Sequence, residues 1–164
     1  MRNGDQKVRV EWLRYEPTFY YDSFMRVLAR EPALHLTVHY DVKIRQDNPW
    51  QTPLREGYRS RVRPRGAAVD WDLLRRVACR RGRVFVLAGW WTPTMFATAN
   101  ALMARRMPYL VFTDTPYPGG WRARGAIRWF RAWWLRRLFR RAHAVLATGR
   151  VGVQAVLDMG CPEH

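Results

Sequence analysis

Asp114 and Thr115 are the residues of this chain best placed to do chemistry. They close the apolar run Tyr109–Phe112 as part of the polar tripeptide Thr113-Asp114-Thr115. A carboxylate at such a point can take a proton from a hydroxyl or hold that hydroxyl in line. Asp114 is the expected catalytic residue, acting by orientation. Glu16, in Tyr15-Glu16-Pro17, is the second candidate carboxylate. Gly89 and Trp90 follow the apolar run Val84–Leu87, and Thr148, Gly149 and Arg150 follow Ala144–Ala147. Each group sits just beyond a short apolar run. Taken singly, each is also what an ordinary loop would contain.

Position gives these residues meaning, and the elements around them set the position. Apolar runs without alternation mark strands covered on both faces, as in a parallel sheet. Ligands of such sheets sit beyond the carboxyl ends of the strands. Val84 to Thr115 forms one strand-helix-strand unit: its helix spans about Pro93 to Arg106, with Met95, Ala99, Leu102 and Met103 at helical spacing. Before it, Lys7–Leu13 alternates charged and apolar side chains and predicts a first strand. A helix over about Thr18 to Arg30 follows, with Thr18 as N-cap and Phe24, Val27 and Leu28 as its apolar stripe. Leu34–Tyr40 predicts a second strand with Leu34, Leu36, Val38 and Tyr40 on one face and His35, Thr37 and His39 on the other. Two histidines so spaced on a strand are not a helical metal pair, and no metal site is expected.

Prolines and glycines at 49, 53, 57, 64 and 66 break any long element. Within that stretch Tyr58–Val62 predicts a short edge strand with arginines alternating at 59, 61, 63 and 65. Asp70 caps a helix to about Arg81, with Leu73, Leu74, Val77 and Ala78 inward. After the loop at Pro116 to Gly120, a long helix runs from about Arg124 to Ala142. Ala144–Ala147 then predicts a short buried strand, followed by a helix over about Val151 to Met159. Strand and helix alternate throughout, the pattern of an α/β fold.

Composition narrows the partners. The chain has 164 residues, 48% of them hydrophobic, enough for a real core in one domain. Its formal charge is +16, and of 29 basic residues only Lys7 and Lys43 are lysines, leaving 27 arginines. A GC-rich genome alone could skew arginine over lysine, but a charge of this size still favours anionic partners. Cys79 and Cys161 fit no metal spacing and suit reduced thiols. The N-terminus is too polar for a signal peptide, and no apolar run reaches the ~20 residues that cross a bilayer. Any membrane contact is therefore expected to be peripheral.

The long helix sharpens that expectation. Residues 115–157 hold nine arginines and no acid. At about 100° per residue, Ile127, Phe130, Trp134, Leu135 and Leu138 share one face, suited to the sheet. Trp129, Trp133, Arg136 and Arg140 share the opposite face, with Arg137 beside them. Indole rings favour the headgroup level of a bilayer, and arginines attract anionic lipid. Trp129, Trp133, Arg136, Arg137 and Arg140 are thus the expected membrane-binding residues. Nucleic acid is the competing anion, but no nucleic-acid module accompanies the charge, and it is not expected as a partner.

Several stretches together resemble the N-terminal, acceptor-side domain of GT-B glycosyltransferases of the family 4 type. They are the first strand followed by Glu16-Pro17-Thr18-Phe19-Tyr20, the unit Val84–Gly89, helix, Pro108-Tyr109-Leu110-Val111, and the run from Phe139 to Gly149. The segment Val156-Leu157-Asp158-Met159-Gly160-Cys161-Pro162 completes the set. The likeness covers nearly the whole chain and lies in order and spacing more than in any one piece.

The resemblance implies a single Rossmann-like domain over 1–164: a parallel sheet with helices on both faces, one half of a GT-B fold. It further implies an acceptor-binding half of a glycosyltransferase, acting on a lipid-linked or polysaccharide acceptor with a nucleotide sugar as co-substrate and no other cofactor. Under it, Glu16, Pro17, Gly89, Trp90, Thr115, Thr148, Gly149 and Arg150 become substrate-binding residues. The family's C-terminal donor domain is absent from the sequence, so the half is expected to be inactive unless a partner chain supplies that domain. The expected location is cytoplasmic, peripheral at the inner face of the membrane. The first turn departs from the family pattern, with Tyr15-Glu16-Pro17 where a glycine-rich turn is frequent, so close backbone approach to a diphosphate is not expected there. The alternative reading is a non-catalytic membrane-surface or scaffold protein on the same fold.

Overall fold

Six short runs become strands, and every pair is parallel. They are β1 (Val8–Arg14), β2 (Leu34–Tyr40), β3 (Arg59–Val62), β4 (Arg83–Ala88), β5 (Tyr109–Thr113) and β6 (Ala144–Ala147), in the order β3-β2-β1-β4-β5-β6. The helices are α1 (Phe19–Ala29), α2 (Trp71–Cys79), α3 (Pro93–Ala104), α4 (Gly125–Arg141) and α5 (Gly149–Asp158). This computed structural model describes residues 7–42, 57–64, 66–79, 82–113 and 125–163. Parallel neighbours cannot be joined by tight hairpins, so a helix follows each strand except β2, whose link to β3 runs through residues outside those described.

Hydrophobic burial divides between the two faces of the sheet. On one, Leu13, Phe85, Leu87, Tyr109 and Val111 pack against Leu73 and Val77 of α2, Ala99, Leu102 and Met103 of α3, and Leu138 and Phe139 of α4. On the other, Val10, Trp12, Leu36, Val38, Tyr40 and Val86 pack against Tyr21 and Met25 of α1. The architecture is the α/β, Rossmann-like sheet the sequence predicts. Local signals start its helices. Thr92 Oγ1 accepts the Met95 N–H at 3.2 Å, with Pro93 in the first turn, and Asp70 Oδ1 accepts the Leu73 N–H at 3.0 Å.

Four expectations need correction, the first being Ala78, which is exposed on α2 while Leu73 and Val77 form its buried stripe. In α1 the inward stripe is Tyr21 and Met25, while Phe24 and Val27 are exposed; Thr18 holds the N-cap position without a side-chain cap bond. The short β6 is half-exposed at the sheet edge, with Ala144 and Leu146 open, because no strand lies beyond it among the described residues. Ile127 and Phe130, assigned to the sheet-facing side of α4, are exposed. Only the second half of that helix reaches the sheet. There Tyr109 Oη donates to the Leu138 carbonyl at 2.6 Å, and Trp134 Nε1 donates to Asn100 Oδ1 at 3.2 Å.

Candidate functional site

The strand order reverses direction at β1: β2 and β3 extend to one side and β4 to β6 to the other. Ligands of open parallel sheets bind at such a switch point, beyond the carboxyl ends of the strands. A crevice of about 250 Å³ lies there, lined by Arg14, Tyr15, Glu16, Thr18, Tyr20, Ala88, Trp91, Phe112 and Thr113. Its walls come from the ends of β1, β4 and β5 and the start of α1.

Backbone and side-chain contacts hold this turn in place. The Asp41 N–H donates to the carbonyls of Arg14 and Tyr15, tying the end of β1 to the end of β2. Arg14 Nε donates to the Glu16 carbonyl at 3.2 Å, and its guanidinium sits 2.9 Å from the centre of the Tyr21 ring. A cation stacked on a ring loses little freedom on meeting a ligand. Opposite, Gly89 has φ +121°, and a Cβ there would fall 2.5 Å from the Trp91 ring. A side chain at 89 would therefore push Trp91 out of the crevice wall.

The structure brings some of the expected site residues together and leaves others apart. Glu16 lines the crevice, with buried Pro17 behind it and Gly89 beneath Trp91. Trp90 turns to the α4 side of the sheet, with its ring 5.8 Å from that of Phe139, so the indole in the crevice is that of Trp91. Thr148, Gly149 and Arg150 lie at the carboxyl end of β6, at the same edge of the sheet. They join it through the Thr148 N–H bonded to the Thr113 carbonyl at 3.1 Å, and they do not line the crevice. Asp114 and Thr115 lie outside the described residues. The β1 end supplies two further candidates, Arg14 and Tyr15; the signal available in the sequence was their place at the tip of the first strand.

A second polar cluster went unrecognised in the sequence. Glu11, His39 and Arg83 are buried side by side on the α2–α3 face of the sheet. Glu11 Oε1 pairs with Arg83 Nη1, and Glu11 Oε2 lies 2.6 Å from His39 Nε2. Burial lowers the His39 pKa from 6.5 to about 4, with Asp70 pulling the other way. Glu11 also favours the imidazolium, but Arg83 already matches its charge, so burial prevails. The neutral ring then donates its Nε2 proton to Glu11. Its Nδ1 is buried with no partner among the described residues, and the ring borders a cavity of about 10 Å³ beside Asp70 and Thr94. That space is sized for a single water. Glu11 and Arg83 lie deeper in the sheet, whereas His39 is one residue from the end of β2, and its small cavity shares Arg14 with the crevice.

Fold and crevice together define an α/β protein with a Rossmann-like parallel sheet and an aromatic, carboxylate-bearing switch-point site. Comparison with protein-family models, with curated proteins and with solved structures finds no match to this chain.

Proposed function

We propose that the crevice at the β1, β4 and β5 tips holds a sugar acceptor, as the acceptor side of a glycosyltransferase using a nucleotide-sugar donor. The observation that carries this reading is the crevice lining: one carboxylate, two threonines and four aromatic side chains around Glu16. Flat rings suit the C–H faces of a pyranose, and a few fixed polar groups suit its hydroxyls. The turn after β1 also argues against a dinucleotide. It reads Tyr15-Glu16-Pro17-Thr18, without glycine, and proline offers no N–H to a diphosphate.

In the transfer, the acceptor hydroxyl oxygen forms a bond to the anomeric carbon while the bond from that carbon to the donor phosphate oxygen breaks. The nucleoside diphosphate leaves with the electron pair, and the hydroxyl proton passes to a phosphate oxygen or a nearby carboxylate. Glu16 orients the hydroxyl in this scheme, the role also expected of Asp114, and Arg14 supplies positive potential to the crevice. The donor would be held by a second Rossmann-like unit, on this chain or on a partner. The reading expects a cytoplasmic protein, peripheral at the inner face of the membrane, with a lipid-linked or polymeric acceptor.

Amide NMR titration tests it. Short oligosaccharides are expected to shift the signals of Arg14, Glu16, Trp91 and Thr113, and Glu16→Gln to weaken binding about tenfold. Shifts in this crevice from a nicotinamide dinucleotide, with none from saccharides, would overturn the reading. If neither ligand responds, the second reading gains: a non-catalytic scaffold or membrane-surface protein, favoured by the exposed tryptophans and arginines of α4.

A further inference from the structure

We infer that the first half of α4 is a wedge that inserts into the surface of an anionic lipid bilayer, with the arginines of its second half gripping the lipid phosphates. This does not depend on what the crevice binds, and the two experiments fail separately.

The motive is where α4 parts from the sheet. Its first six residues, Gly125 to Phe130, are all exposed, so among the described residues nothing covers the opening turns. Those turns are nevertheless aromatic and aliphatic: Ile127 is 66% exposed, Trp129 72%, Phe130 48% and, one turn on, Trp133 46%. The Phe130 and Trp133 rings lie 5.9 Å apart, forming one patch. Lone exposed apolar residues are ordinary, but four within two turns mark a contact surface. Burial begins only at Trp134 and Leu135, where Phe96 stacks on Trp134 at 4.8 Å.

Charge is laid out along the same helix. Arg136, Arg137, Arg140 and Arg141 are exposed in the last two turns, and together with Trp129, Ala132 and Trp133 they border a groove of about 540 Å³. Arg137 lies 5.7 Å from the Trp133 ring, which links the two zones. Helical rise sets Trp129 about 17 Å from Arg140. A tilted helix of this kind puts rings at the acyl boundary and guanidinium groups at phosphate level. Guanidinium forks bind phosphate oxygens in pairs, which suits arginine over lysine here. Among the described residues no helix is long and apolar enough to cross a membrane, so the contact is with the surface.

The layout favours lipid over the other two occupants. Nucleic acid would call for cations along the whole face, whereas the first six residues hold one, Arg128, among Ile127, Trp129 and Phe130. A second copy meeting this face would concentrate the arginines of two α4 helices in one interface with no acidic residue of that helix to match them.

Co-sedimentation with vesicles decides the matter. The protein is expected to bind vesicles of phosphatidylcholine and phosphatidylglycerol in equal parts, weakly if at all to phosphatidylcholine alone, and less as salt rises. Replacing Arg136, Arg137 and Arg140 by Gln should lower the partition on the order of a hundredfold. Trp129→Ala with Trp133→Ala should lower it about tenfold. A control that removes equal charge at the far edge of the sheet, Arg30→Gln, Arg59→Gln and Arg75→Gln, should change it no more than a few-fold. In the unaltered protein, brominated lipid should quench tryptophan emission, and the Trp129/Trp133 double variant should lose most of that quenching. Equal binding to both vesicle types, an equal loss in the control, or emission untouched by brominated lipid would overturn the inference. So would dimerisation abolished by the same variants.

Discussion

Two charged regions of this molecule follow opposite rules. Glu11, His39 and Arg83 lie inside, where each ionic group meets a partner. Arg136, Arg137 and Arg140 of α4 lie outside, on a helix with no acidic residue. Inside, a charge survives only when matched, because losing water costs several kcal/mol per ion. Outside, water screens each arginine, so a helix can carry unmatched charge and offer it to a ligand. The interior cluster therefore reports on stability, and the surface row reports on binding.

That contrast can be broken by substitution. The largest effect belongs to Arg83→Met, which takes from buried Glu11 the cation that matches it and leaves its charge to be met by protonating a buried histidine. Chemical denaturation should show a loss of about 3–5 kcal/mol. A loss below about 1 kcal/mol would mean that water reaches Glu11 and that the interior is not dry.

Acid provides the next test. With a pKa of about 4 in the folded chain against 6.5 unfolded, His39 takes up its proton first in the unfolded state. Its contribution to stability is thus complete above pH 6.5 and is lost as pH falls towards 4. The full difference amounts to about 3 kcal/mol. Unfolding midpoints followed between these pH values should fall in the native protein, and the slope should flatten in His39→Gln. An unchanged slope would assign the acid sensitivity elsewhere.

Within α4 the contrast shrinks to neighbours. Trp134→Phe removes the bond to Asn100 and should cost about 1 kcal/mol. Replacing Arg136, Arg137 and Arg140 by Gln should shift stability by no more than about 0.5 kcal/mol, while vesicle binding collapses. Thermal melts of the two variants side by side would show whether the helix divides into a packed half and a free half.

Much of the fold was legible beforehand. Strands such as Leu34–Tyr40 and helices such as Pro93–Ala104 come from local pattern, because apolar spacing and caps act over a few residues. The alternating order then admits few topologies, and the parallel sheet follows. Glu11 shows where this stops. It sits in a run that alternates charge and apolar, which normally marks a solvent face. Only the pairing of β1 with β2 and β4 sets His39 and Arg83 beside it. Trp90 and Trp91 show the same limit at the crevice. Adjacent indoles look alike in sequence, and the twist of one turn decides which packs on Phe139 and which faces the strand tips.

The amino-acid sequence by itself determined the α/β alternation, the placement of the candidate residues just past the strands, and the basic, acid-free composition of α4. These properties depend on near neighbours and on composition. Tertiary structure alone decided that β1 stands at the switch point, that Glu11 is buried and matched, and that Ile127 and Phe130 are left open. Burial is a relation between segments far apart in the chain, and a helix has an inner face only as far as something lies beneath it.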